Sequence, residues 1–181
     1  MRLSELSPHA DTLAAVVLGA FLATVSGVIA NLFEARVRRR ERERSAALLF
    51  GEVLSTLRVM LEGADAVRHR GEPYGPVTQR MLHTARRELD IYDRNREALM
   101  DLQDARLRAD LHRLAVRLAM PVDGILDSLA AEVDDAVRDR SFEFLLQSLA
   151  DLAPIVERLG RVAGTSFAHY DAMPRPGVAA R

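Results

Sequence analysis

The sequence feature that most constrains this chain is an uncharged run at residues 12–33, which reads TLAAVVLGAFLATVSGVIANLF. Asp11 and Glu34 bound the run, and no ionisable residue lies between them. A helix of this length rises about 33 Å, at about 1.5 Å per residue, which matches a hydrocarbon core of about 30 Å. Its eleven Leu, Val, Ile and Phe residues contribute about −5 kcal/mol toward insertion. The run therefore predicts a single transmembrane helix.

Two other interpretations of this run are less favoured. A cleaved signal peptide has a basic n-region, a shorter apolar core and small residues at the cleavage site. Residues 28–30 resemble such a site, but the apolar run is too long and residues 1–11 contain a single Arg beside two acidic residues. A buried helix of a soluble core is disfavoured because the run is apolar on every face.

The Arg-rich segment at residues 34–45 predicts the orientation of the span. Its six arginines are Arg36, Arg38, Arg39, Arg40, Arg42 and Arg44. Basic residues close to a span stay on the cytoplasmic side, and acidic residues have little influence. We therefore expect a protein of the bacterial inner membrane with residues 1–11 outside and the C-terminal domain in the cytoplasm. Three Glu residues in the segment weaken its attraction to anionic lipids, so a topology signal is the favoured role.

Small and polar residues recur every four positions along the apolar run. They are Ala15, Gly19, Ala23, Gly27 and Asn31. Small residues at this spacing allow two membrane helices to approach closely, and an Asn can add a hydrogen bond across the pair. The stripe predicts a helix-packing face, and thus a homodimer.

The composition of the chain limits what its cytoplasmic part can be. The absence of Cys fits a reducing compartment and excludes disulfides and thiolate sites. A net charge of −1 gives no electrostatic reason to expect a nucleic-acid partner. Gly and Pro are sparse outside a few turn-forming stretches, which favours an all-α protein.

Three stretches of the C-terminal part carry apolar residues spaced three and four apart, the pattern of a heptad seam. The first consists of Ala46, Phe50, Val53, Leu57, Met60, Ala64 and Val67. The second consists of Leu107, Leu111, Leu114 and Leu118, and the third of Phe142, Leu145, Leu149, Leu152, Val156, Leu159 and Ala163. Residues 46–170 are therefore predicted to form an antiparallel helical bundle with coiled-coil-like seams. Within it, we expect the following side chains to be among the most buried: Phe50, Leu57, Leu111, Leu114, Leu149, Leu152 and Val156.

Breakers and capping residues set the expected bounds of the first helices. The membrane helix can continue without a break to about Arg70, and Gly51 is tolerated within it. Pro76 is well placed to begin a helix over residues 77–93. Residues 90–104 fit either one kinked helix or two short ones, and Asp104 can cap the next helix.

The later helices are less regular in sequence. Pro121 removes a backbone donor, so the third helix should bend or restart there. We expect Asp139 or Ser141 to cap the last helix and Pro154 to kink it. Residues 171–181 read as a disordered tail.

The sequence contains no motif that carries chemistry. No His has a Glu in the Glu-x-x-His spacing of bundle metal sites, and glycine-rich phosphate loops and nucleophile elbows are also absent. Ser166 and His169 are three residues apart but lie beside the predicted tail. We therefore predict no catalytic, cofactor-binding or metal-binding residue, no cofactor, and a protein that is not an enzyme.

Tyr92, Asn95 and Arg96 are the polar residues of greatest interest, and the first two share a helix face with the apolar Leu99 and Leu102. We expect both to point into the bundle as a polar pair that fixes helix register. The favoured function is a membrane-anchored scaffold or protein-interaction module for an unidentified protein partner. The alternative is a membrane-tethered ligand sensor or enzyme with a site between helices near Tyr92 and Asn95.

Overall fold

A computed structural model describes the backbone of residues 7–70, 72–131 and 134–170, and the side chains of residues 16–70, 72–131 and 134–169. This part of the chain is helical and contains no strand. Its five α-helices are α1 (Ser7–Arg68), α2 (Pro76–Arg94), α3 (Ala105–Ala130), α4 (Asp135–Leu149) and α5 (Leu152–Ala163). The predicted all-α class is confirmed, whereas coiled-coil packing along the seams stays a prediction.

The chain divides into two compact units, residues 1–41 and residues 42–181. In the first unit the described residues belong to α1, which is long and apolar enough to cross a membrane. The predicted external terminus falls partly on residues 1–6, and the predicted tail falls on residues 171–181. Both of these segments lie outside the described residues.

The boundaries of α2 agree with the sequence. Pro76 is its first residue, and the helix ends at Arg94. The sequence left the form of residues 90–104 open between one kinked helix and two short ones. The structure shows neither, because α2 ends at Arg94 and a 3-10 helix, Arg96–Asp101, follows. This short helix buries Leu99 and leads to Leu102, which is also fully covered.

Asp104 caps α3 as predicted, because its carboxylate accepts hydrogen bonds from the backbone N–H groups of Arg106 and Leu107 at 2.9 and 3.1 Å. Of the two outcomes expected at Pro121, the restart was wrong, and the bend stays a prediction. Pro121 lies inside α3, which continues to Ala130. The ring is buried in the core, so packing of the helix compensates for the single hydrogen bond that proline removes.

The last predicted helix is in fact two helices. α4 is capped by Asp134, whose carboxylate accepts from the N–H of Ala136 at 3.1 Å, so both proposed caps, Asp139 and Ser141, were wrong. The acidic run offers several residues that can cap a helix, and α4 is capped by one that precedes both Asp139 and Ser141.

Pro154 was expected to kink one continuous helix, but the chain breaks before it, at residues 150–151. A proline ring clashes with the carbonyl four residues earlier, which here belongs to Ala150. Pro154 therefore falls in the first turn of α5, where its missing N–H needs no partner.

One contiguous core runs through the second unit. Phe50, Leu57, Leu111, Leu114 and Leu152 are buried as expected. Leu149 and Val156 are only partly buried, so these two expectations were wrong. The break between α4 and α5 shifts the helical register, and the neighbouring Ser148 and Ile155 take the buried positions instead.

α3 is the central helix of this unit and packs against α2, α4 and α5. The C-terminal part of α1 joins them: the Phe50 and Tyr92 rings lie 5.7 Å apart. Near the end of α1, the Arg68 guanidinium lies 4.4 Å from the centre of the Phe142 ring. These contacts give a closed helical bundle in which exposed polar faces surround a Leu-rich core.

Candidate functional site

The proposed span carries the largest apolar surface of the described chain. Its large apolar side chains between residues 16 and 33 are 37% to 71% exposed. Of the predicted packing stripe, Gly19, Ala23, Gly27 and Asn31 are exposed, and a Cβ added at either glycine would meet no atom within 4 Å. The side chain of Ala15 lies outside the described residues. The stripe is thus open along this helix, and helix packing through it stays a prediction.

The predicted topology segment carries its arginines at exposed positions. All six arginines between residues 36 and 44 belong to exposed residues. Arg38 forms an ion pair with Glu34 one helical turn away. Arg44 has a structural role that the sequence did not indicate: its Nε donates to the carbonyl of Ala163 at 2.8 Å and so satisfies the last turn of α5.

The region of Tyr92 and Asn95 differs from the sequence-based expectation. Tyr92 is buried, but Asn95 is exposed, and its amide donates back to the carbonyl of Ile91 at 2.8 Å. Because α2 ends at Arg94, the helical spacing that was to place both side chains on one face does not reach Asn95. The two residues do not form a polar pair.

The polar partner of Tyr92 is His112, a half-buried residue that the sequence did not reveal. The hydroxyl lies 2.9 Å from Nδ1 of His112, and the two rings stack with centroids 6.4 Å apart. Burial raises the pKa of the Tyr92 hydroxyl to about 12, which keeps it neutral near physiological pH. The only sequence signal is that His112 directly follows the core residue Leu111.

Arg96 lies beside the other ring nitrogen of His112. Its Nη2 lies 3.4 Å from Nε2 of the ring, and a guanidinium can only donate. The Tyr92–His112 contact joins α2 to α3, and each ring nitrogen of His112 has a polar neighbour.

A cavity of about 330 Å³ lies between α3 and α5. Arg158 is the main charged group beside it and donates to Asp104 and Asp110, at 2.8 Å in both cases. Arg117 pairs similarly with Asp151 at 2.6 Å. These opposite charges pair with one another. Arg158 and Arg117 therefore link helices and are not free to act on a substrate.

A larger open groove of about 710 Å³ lies along α5 and the segment after it. It contains Ser166, and Nδ1 of the nearby His169 lies 3.3 Å from the backbone oxygen of Ser166. The Ser166 hydroxyl accepts from the N–H of Ala168 at 3.3 Å. The two side chains therefore do not form a nucleophile–base pair.

A polar cluster ties the end of α1 to α4. The Tyr74 hydroxyl donates to Asp139 at 2.7 Å, and Arg68 lies 3.3 Å from the same carboxylate oxygen. Burial, together with the hydrogen bond to Asp139, raises the pKa of the Tyr74 hydroxyl. Arg138 donates to the carbonyl of Ser128 at 2.7 Å and so satisfies the end of α3. These groups stabilise the termini of three helices.

No metal site occurs within the residues that the structure describes, where no three His, Asp or Glu side chains lie close enough together to hold an ion. Comparison of the chain with protein-family models, with curated proteins and with solved structures found no match. The geometry of the chain itself is therefore the basis for assigning a function.

Proposed function

We propose that this protein is a single-pass membrane protein of the bacterial inner membrane that presents a cytoplasmic helical bundle to protein partners. The observation that carries the proposal is the exposed apolar surface of α1 between Val16 and Phe33. Soluble monomers rarely expose a continuous apolar surface of this length. Lipid supplies the apolar environment that this surface needs, and all backbone groups within a helix are internally satisfied.

The form of the bundle supports a positioning role. Its core is filled by aliphatic and aromatic side chains, and the ionised groups at its α3–α5 cavity pair with each other. The six arginines after the span support a cytoplasmic location. An anchored bundle of this kind acts by holding its exposed faces close to the membrane, where they recruit other proteins.

The membrane anchor is tested by fractionation after an alkaline carbonate wash. An Arg near the centre of a span opposes insertion by about 2.5–3.5 kcal/mol, so two of them offset the apolar contribution of about 5 kcal/mol. The double variant Leu22→Arg/Val25→Arg should therefore leave the membrane pellet. Its matched control, Leu22→Ile/Val25→Ile, should stay there. Extraction of the unchanged chain by carbonate would contradict the anchor.

The partner role is tested by purifying the full chain from detergent-solubilised membranes. We expect a second protein to co-purify with the chain in a fixed ratio. This protein should not co-purify with Leu22→Arg/Val25→Arg, the variant that carbonate should extract. Recovery of the chain alone, in repeated preparations with crosslinking, would contradict the interaction role.

A ligand sensor or enzyme is the alternative function, and the α3–α5 cavity is the observation that favours it. Arg113 lines this cavity and lies 3.6 Å from Asp110, and because its side chain is 68% exposed an anionic ligand can reach it. Native mass spectrometry of the purified full chain distinguishes the two functions. A bound small molecule that is lost in Arg113→Gln would favour the sensor over the scaffold.

A further inference from the structure

The groove between α2 and α3 combines apolar walls with an acidic rim. Its volume is about 160 Å³, and it contains Leu89 and Tyr92 from α2 and Val116 and Met120 from α3. A cavity of about 150 Å³ is large enough for a benzene-sized group. The groove therefore has room for one large apolar side chain of a partner.

Two apolar side chains that line this groove are exposed to solvent. Val116 and Met120, one turn apart on α3, are 45% and 71% exposed. Methionine is flexible and polarisable, and exposed methionines are common on surfaces that bind helices. Most of the other exposed large apolar side chains in the chain belong to the proposed span.

The same faces of α2 and α3 carry four carboxylates, those of Asp90, Asp93, Asp123 and Asp127. Arg86 pairs with Asp123 at 2.8 Å and with Asp90 at 3.3 Å. Among the described residues, Asp93 and Asp127 have no ion-pair partner. The groove thus has a net negative rim.

The pKa of Asp123 reflects this local field. Burial raises it most, Arg86 lowers it, and the carboxylates of Asp127, Asp90 and Asp93 raise it further. A cation placed in the groove would relieve the repulsion between these carboxylates.

The geometry points to a docking site in the α2–α3 groove for a basic amphipathic helix of a partner protein. One apolar side chain of that helix enters between Val116 and Met120, and its Arg or Lys residues lie against Asp93 and Asp127. The face of α3 from residue 116 to residue 127 is about 16 Å long, which accommodates about three turns of a partner helix. This inference rests on the proposed function as an interaction module and names the chemistry of the partner.

The test uses the full chain in phosphatidylcholine nanodiscs and a fluorescent helical peptide of about 18 residues with Leu on one face and Arg on the other. A second peptide carries Glu in place of Arg. We expect the Arg peptide to bind, more weakly as salt is added, and the Glu peptide not to bind. Equal binding of the two peptides would overturn the proposal, as would failure of the Arg peptide to bind.

Variants locate the binding. Asp93→Asn/Asp127→Asn should weaken binding about tenfold and reduce its salt dependence. The matched control Glu52→Gln/Glu143→Gln removes two exposed charges from α1 and α4, outside the groove. Equal affinities of these two double variants would overturn the proposal. All four positions are exposed, and circular dichroism checks that each variant is folded.

The apolar wall is tested separately. Met120→Ser should weaken peptide binding about tenfold without changing its salt dependence. The control is Met100→Ser, which alters a side chain on the 3-10 helix that is 79% exposed. This control should have no effect on binding. Equal loss in both would overturn the apolar contact.

The Arg-rich segment of a second copy is another occupant that the experiment can detect. Binding of a peptide of residues 34–45 with the same dependence on Asp93, Asp127 and Met120 would identify that segment as the occupant and overturn the assignment to a separate partner. Failure of any of these peptide experiments leaves the carbonate fractionation result unchanged, so the docking site and the membrane anchor fail independently.

Discussion

The ring of Phe167 occupies the space that a side chain on Gly51 would need. A Cβ built on Gly51 would lie 2.1 Å from the nearest ring atom, far inside van der Waals contact. Phe167 is itself buried and comes from the segment after α5. A glycine within α1 is therefore what allows the chain after α5 to close against that helix, although glycine is a poor helix former.

Gly51→Ala should consequently destabilise the bundle even though alanine favours helix. Overpacking of a filled core raises the free energy of the folded state by about 1–3 kcal/mol, more than the gain of about 1 kcal/mol in helix propensity. Chemical denaturation of the full chain measures the difference. Gly124→Ala, at an exposed position of α3 with no atom within 4 Å of the added Cβ, is the control and should stabilise. A stabilising Gly51→Ala would show that Phe167 does not pack there.

Leu145 and Leu149 provide a paired test of the α4 register. Leu145 is fully buried, whereas Leu149 is only partly buried. Leu145→Ala should lower the free energy of unfolding by about 2–5 kcal/mol, since it removes core contacts and leaves a cavity. The loss for Leu149→Ala should be clearly smaller. A reversed order in denaturation experiments would mean that α4 continues in the uninterrupted seam register.

Asp104 gives the bundle a defined dependence on pH. The hydrogen bond from Arg158 lowers the pKa of the Asp104 carboxyl, and the N–H groups of Leu107 and Arg106 lower it further. A carboxyl with a pKa below its unfolded value of about 3.9 stabilises the fold above that pH, and this stabilisation is lost as the pH falls through the folded pKa.

Replacement of Asp104 by Asn should therefore destabilise the protein near neutral pH and have little effect in strong acid. Thermal unfolding of both proteins across this pH range measures the difference. The same substitution in an Arg158→Gln background should show a weaker pH dependence, because the main cause of the lowered pKa is absent. An undiminished pH dependence in that background would exclude Arg158 as the cause.

The small-residue stripe predicts association of two chains within the membrane. Gly19→Leu/Gly27→Leu keeps the span apolar but separates the helix backbones, so crosslinking between chains should decrease. Leu18→Ile/Ile29→Leu leaves the stripe unchanged and is the control. Unchanged crosslinking in the glycine variant, at equal expression, would show that the stripe is not an interface.

Local sequence signals predicted the helices well where a single residue or one continuous run decides where a helix lies. The uncharged run, Pro76 at the start of α2 and the Asp104 cap each act through neighbouring backbone groups, so their effect is visible in the sequence. Pro154 also signalled a disturbance correctly. Its form, a break at residues 150–151, depended on how the following turn packs.

Contacts between distant segments were not predictable in the same way. Asn95 was misplaced because a 3-10 helix interrupts the α-helical spacing, and the Tyr92–His112 pair depends on how α2 and α3 align. Nothing in the pattern around Gly51 indicates that Phe167 fills the space beside it. Such contacts arise from tertiary packing, which depends on many residues along the chain at once.

A topology measurement on the full chain tests the central claim most directly. Reporter pairs, a phosphatase active only outside the cytoplasm and a fluorescent protein that matures only inside it, are fused in turn before Met1 and after Arg181 in a bacterial host. The account predicts phosphatase activity for the N-terminal fusion and fluorescence for the C-terminal fusion, both in the membrane fraction. Fluorescence from both ends in the soluble fraction, or the reverse orientation, would contradict it.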